Sequence, residues 1–183
     1  MPPTSFALAQ VNIGRLLAPL DSEQLAGFVA ALEPVNALAD AAPGFVWRLT
    51  GDDGNDATSE RFFGELDLLV NMSVWRDLES LSDFVFRGAH VEVMRQRRLW
   101  FAPMTELYAA LWWVPIGALP TIADAEERVL HLRQHGPTPF AFTFRSPFPA
   151  PVHAPLVAST RQAAGSAERR ESPESRETTR RVT

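Results

Sequence analysis

A chain of 183 residues with 46% hydrophobic and 21% charged side chains is long enough for one domain with a full core. It has no cysteine and no lysine, so all 17 basic residues are arginine; this excludes a disulfide framework, a thiolate metal site, a cysteine nucleophile, a Schiff-base lysine and a P-loop lysine. A net charge of −5 argues against nucleic-acid binding by the folded part. No apolar run approaches the roughly 18 residues of a transmembrane helix, and the N-terminus lacks a signal-peptide pattern, so a soluble, cytoplasmic protein is expected.

Residues 6–13 are apolar and short and read as a buried strand. Gln10 and Asn12 share one face with Phe6 and Leu8; Ala7, Ala9, Val11 and Ile13 take the other. Two amides on an apolar strand either hydrogen-bond a neighbour or line a cavity. Asp21 or Ser22 can cap a helix carrying Leu25, Phe28, Val29 and Leu32. Pro34 predicts a kink or break, with a second helical piece over 35–41. Residues 45–49 form a short strand with Phe45, Trp47 and Leu49 on one face. The loop 50–60 is turn chemistry and fails the EF-hand pattern, so no metal is expected there.

The strongest strand covers 66–75. Leu66, Leu68, Val70, Met72 and Val74 lie on one face; Asp67, Leu69, Asn71, Ser73 and Trp75 lie on the other. Asp77 caps the next helix, Gly88 permits a break, and a second helical run follows over 89–99. Residues 104–115 read as an aromatic-rich strand. Thr121 caps a helix that stops at Gly136-Pro137, and residues 140–145 read as a final strand. The remainder, 154–183, is Ser-, Glu- and Arg-rich and is expected to be disordered, leaving 1–153 as the domain.

The order β-α-β-β-α-β, then α-β, matches a ferredoxin-like α+β plan: an antiparallel sheet with helices on one face, plus an extra C-terminal helix and strand. Strands that are apolar on both faces need a second cover, and a face-to-face homodimer would supply it. The segments FALAQVNIGRLLAPLD, NALADAAPGFVWRL, LLVNMSVW, FVFRGAH, RRLWF, LWWVPIGALPT and GPTPFAFTFR resemble an uncharacterised bacterial family, a domain of unknown function. That family is placed near the dimeric α/β-barrel superfamily, which includes the antibiotic-biosynthesis monooxygenases. The resemblance spans roughly residues 6–150 and implies a pocket between sheet and helices. It also implies a cofactor-free oxygenase, a haem protein or a small-molecule isomerase.

His90, Met94 and Arg97 share a face of the expected 89–99 helix. His90 is a candidate general acid or base, and Arg97 a candidate anion holder. Asn71, Ser73 and Trp75 share a strand face, and Asn12 joins them if the first and third strands are neighbours; Asn12 or Asn71 would polarise a carbonyl. Trp47, Trp75 and Trp113 are candidate stacking surfaces for an aromatic ligand, although core packing would also use them. His131 and His135 stand at i, i+4 without further ligands, so no metal site is expected. G-x-S-x-G, G-x-G-x-x-G and H-E-x-x-H are absent. The expected function is a small-molecule enzyme without a cofactor, acting on an aromatic or polyketide-like substrate. The alternatives are haem ligated by His90 or a non-catalytic binding protein.

Overall fold

A computed structural model describes residues 6–51, 54, 56–87 and 95–152. Four strands, β1 (Phe6–Arg15), β2 (Phe45–Arg48), β3 (Leu68–Trp75) and β4 (Ala109–Pro115), form one antiparallel sheet in the order β2-β3-β1-β4. That order is the ferredoxin-like arrangement. The two central strands pair in register over Leu8↔Trp75, Gln10↔Ser73 and Asn12↔Asn71.

Three α-helices lie wholly within the described residues: α1 (Ala26–Asp40), α2 (Leu78–Phe86) and α3 (Ile122–His135). Each begins where the sequence supplies an acceptor for free backbone amides. Ser22 caps a 3-10 turn, Glu23–Leu25, that leads into α1. Asp77 accepts from the Ser80 amide at 2.8 Å. Thr121 and Asp124 form a reciprocal capping box. Pro34 does not break α1, contrary to the sequence expectation. Pro34 and Ala30, whose carbonyl loses its partner, are both exposed, so water can serve the freed acceptor.

The sheet is covered on both sides. Leu25, Phe28 and Trp100 pack over Leu16 and Leu69, while Leu81 of α2 packs with Leu8, Trp75 and Leu111. We call this the helix-pair face. At Gly14 a Cβ would sit 2.7 Å from the Phe101 ring, so only glycine lets that ring lie against β1. On the opposite face, Ala125, Val129 and Leu132 of α3 pack on Ala9, Val11, Val70, Met72 and Trp112. Phe62 is driven into the same cluster, and the Phe63 amide donates to Glu126 of α3. On this face the cover comes from α3 of the same chain.

Four features of the strands differ from the sequence reading. A bulge between Phe45 and Trp47 puts these residues on opposite faces, Phe45 against Trp75 and Trp47 with Leu49 in the α3-side core. β3 starts at Leu68, leaving Leu66 80% exposed. β4 starts at Ala109 rather than Met104. The strand expected over 140–145 contracts to one antiparallel bridge to β4, Leu111↔Phe142, with both backbone hydrogen bonds at 2.9 Å, and a local bridge, Thr143↔Ser146. Proline at 137, 139 and 147 leaves little room for a longer ladder. No helix among the described residues is long and apolar enough to cross a membrane. Residues 154–183 lie outside the described residues.

Candidate functional site

The helix-pair face changes character along the strands. At one end lies the Leu8, Trp75, Leu81 and Leu111 cluster; at the other lies the Leu25, Phe28 and Trp100 cluster with Leu16 and Leu69. Between them, on the same face, β1 offers Gln10 and Asn12, and β3 offers Asn71 and Ser73. A polar band therefore crosses the sheet between two apolar walls.

The band is one hydrogen-bonded ladder. Trp75 Nε1 donates to Ser73 Oγ at 2.8 Å. Gln10 Nε2 donates to the same Ser73 Oγ at 2.9 Å and to Asn71 Oδ1 at 3.0 Å. Asn12 Nδ2 donates to Gln10 Oε1 at 3.4 Å. Gln10 and Ser73 are buried, whereas Asn12 and Asn71 are exposed. The buried amide has donors and acceptor all engaged, as a polar group under an apolar cover must. Its two surface neighbours keep hydrogen-bonding capacity for something outside the ladder.

Asn12, Asn71, Ser73 and Trp75 are thus brought together. Trp75 forms the floor of the group: it is 1% exposed and its ring packs against Phe45 at 5.4 Å and Phe84 at 5.0 Å. Three other candidates stand elsewhere. Trp47 faces the α3-side core. Trp113 shares the helix-pair face but is tied down under residues 142–148, its Nε1 donating to the Phe148 carbonyl at 2.8 Å. Arg97 lies in a 3-10 turn and donates to the Tyr108 hydroxyl at 3.3 Å, with its guanidinium 5.1 Å from that ring. His90 and Met94 fall in 88–94, outside the described residues. In sequence, that segment links the α2 wall to the Trp100 wall.

Gln10 is the residue that sequence reasoning undervalues. Its place beside Asn12 follows from strand periodicity, but its role as hub depends on the β1–β3 register. Arg48 also reaches this face, opposite Ser73, with its Nε 3.0 Å from Asp40 Oδ1.

The ladder contains no ionisable group, so it can orient and polarise but cannot move a proton at neutral pH. A cation elsewhere invites comparison. Arg128 Nε and Nη1 are buried without a hydrogen-bond partner, and burial lowers its pKa against the opposing pull of Glu127 and Asp124. Its guanidinium lies 3.4 Å from the Phe140 ring centroid, and that cation–π stack stands in for the missing partners. Two concavities among the described residues lie away from the ladder. An open groove of about 440 Å³ runs past Leu17, Pro19, Arg61 and Leu66, and a hollow of about 140 Å³ lies by Val46, Ile116 and Leu119. No group of three or more metal-ligating side chains occurs among the described residues.

Comparison with known proteins finds the family described as Domain of unknown function (DUF3291) over residues 7–158. No curated protein matches. Among solved structures the chain is similar to PA3566 from Pseudomonas aeruginosa, with 13% identity, a TM-score of 0.41, and 63% of this chain and 98% of that one covered. It is similar to SnoaB, a cofactor-independent oxygenase from Streptomyces nogalater, with 17% identity, a TM-score of 0.40, and coverage of 63% and 98%. It is also similar to a putative antibiotic biosynthesis monooxygenase from Chloroflexus aurantiacus J-10-fl, with 12% identity, a TM-score of 0.39, and coverage of 63% and 98%. Likenesses this distant carry no functional information.

Proposed function

This chain belongs to the DUF3291 family, a domain of unknown function, and we propose that it is a small-molecule enzyme acting on an aromatic or polyketide-like ketone. The observation that carries the reading is the surface amide of Asn71, exposed between two apolar walls while its oxygen is held from below by Gln10. With that oxygen engaged, the Asn71 N–H is the group left to meet a ligand. A carbonyl oxygen there gains a donor whose interaction strengthens as negative charge develops. The apolar clusters on either side suit a flat hydrocarbon ring.

In this reading His90 handles the proton. The imidazole removes a proton from the carbon beside the carbonyl, the C–H electron pair becomes the enolate, and Asn71 holds the enolate oxygen. Returning the proton to another carbon completes an isomerisation. With O2 as oxidant, a CH2 group becomes C=O and the second oxygen atom leaves as water. Neither route calls for a resident cofactor.

The test is deuterium uptake by 2-tetralone, a ketone with an acidic benzylic CH2, followed by NMR in D2O with the full chain. The wild-type protein should exceed buffer exchange, and Asn71→Ala should lower that excess by about 100-fold, the usual loss for one oxyanion donor. His90→Ala should lower it as well. Exchange no faster than buffer, or an Asn71→Ala protein as active as wild type, would sink the proposal.

A further inference from the structure

We infer that Gln10 is a positioning residue that sets Asn12 and Asn71 to opposite hydrogen-bonding polarity, so that the site takes a hydroxy-ketone. This rests on the reading above, in which Asn71 meets a carbonyl. The floor fixes one bond of the ladder and the amide of Gln10 fixes the rest. An indole N–H can only donate, so Ser73 Oγ must accept from Trp75. Gln10 then turns its NH2 to Ser73 and Asn71 and its oxygen to Asn12. Asn71 is left with its NH2 outward, and Asn12 with its oxygen outward.

The opposite polarity survives a reversal of the ladder. Let the Gln10 amide flip, so that the Ser73 hydroxyl and the Asn71 NH2 both donate to its oxygen. Its own NH2 must then donate to Asn12, and Asn71 shows an oxygen while Asn12 shows an NH2. In either arrangement one surface amide presents a donor and the other an acceptor, because a single primary amide has one end of each kind. Asn12 and Asn71 are direct cross-strand partners, so their Cβ atoms stand about 5 Å apart. A ligand meeting both needs one carbonyl and one hydroxyl at a similar separation, as in a meta-substituted ring. A plain ketone satisfies only one of the pair.

The probes are 3-hydroxyacetophenone, 3-methoxyacetophenone and resorcinol, with affinities read by ligand-observed NMR on the full chain. In 3-hydroxyacetophenone the two groups cannot bond each other. Wild type should bind it about threefold to tenfold more tightly than 3-methoxyacetophenone, the worth of one hydrogen bond. Gln10→Glu replaces the two-ended amide by a carboxylate that only accepts, so both asparagines turn NH2 inward and show oxygen. Affinity for 3-hydroxyacetophenone should then fall relative to resorcinol, which carries two hydroxyl donors. Should Gln10→Glu fail to fold, Gln10→Met keeps the volume and removes the coupling, and the preference for hydroxyl over methoxyl should fall to less than half its wild-type value.

A folded Gln10→Glu or Gln10→Met protein that keeps the wild-type ratios overturns the inference. If the probes then still bind and Asn71→Ala abolishes that binding, the carbonyl site stands and only the coupling fails. If wild type binds no probe, or Asn71→Ala binds all three unchanged, both fail together.

Discussion

The two faces of the same four strands are built on different terms. On the α3 side, β1 contributes Ala7, Ala9, Val11 and Ile13 without a polar interruption, and α3 closes over them. On the helix-pair side, the same strand runs Leu8, Gln10, Asn12 and Gly14, and its middle is polar. One face holds the fold together by burial; the other spends part of its area on a hydrogen-bonded band. That difference is the ground on which we propose a ligand site on the helix-pair face, without any appeal to fold family.

The sharpest way to break this contrast is to hollow out the α3 side. Trp112 is 1% exposed, and Trp112→Ala should cost about 3–5 kcal/mol, measured by urea unfolding. A loss under about 1 kcal/mol would mean that α3 is not the principal cover. Trp75→Phe tests the other side more gently. It keeps a ring against Phe45 and Phe84 and removes the donor to Ser73. A loss of about 1–3 kcal/mol is expected, from one broken buried hydrogen bond and a smaller ring. A loss under about 0.5 kcal/mol would show that the indole donor contributes little to the ladder.

The smallest effect concerns the cap of α3. Thr121→Ala should cost about 1 kcal/mol at neutral pH. The Thr121 amide and then its hydroxyl hold the Asp124 carboxyl below its ordinary value of 3.8. Below that value the unfolded chain binds a proton that the folded chain resists. Stability therefore falls as pH drops through the folded pKa. Removing the hydroxyl should flatten that acid limb, and identical acid limbs in the two proteins would refute the assignment.

Much of this contrast is legible in the amino-acid sequence alone. The alternation in 66–75 separates Val70, Met72 and Val74 from Asn71, Ser73 and Trp75, and the folded chain keeps that division. That Asn12 and Asn71 lie on neighbouring strands follows from the ferredoxin-like order; that they stand directly opposite is a matter of register. What is hidden depends on long-range geometry. A single bulge in β2 sends Trp47 to the far face, and no periodicity in five residues reveals it. Helix amphipathicity shows that α3 must cover something; only the folded chain shows that it covers the face opposite α1 and α2. Pro34 signals a break by local rule, yet an exposed carbonyl removes most of the penalty. The hub role of Gln10 is a property of register, which no strand carries by itself.

The bridge between Leu111 and Phe142 has a consequence beyond packing. β4 is an outer strand, and an outer strand with free amides is a template on which other chains can polymerise into fibrils. Phe142 takes both backbone groups of Leu111, and the proline-flanked segment that carries it cannot itself extend the ladder far. On the other margin β2 is four residues long and bulged. Neither margin offers a long flat row for templated growth, so the sheet resists propagation at both ends while leaving its polar band open.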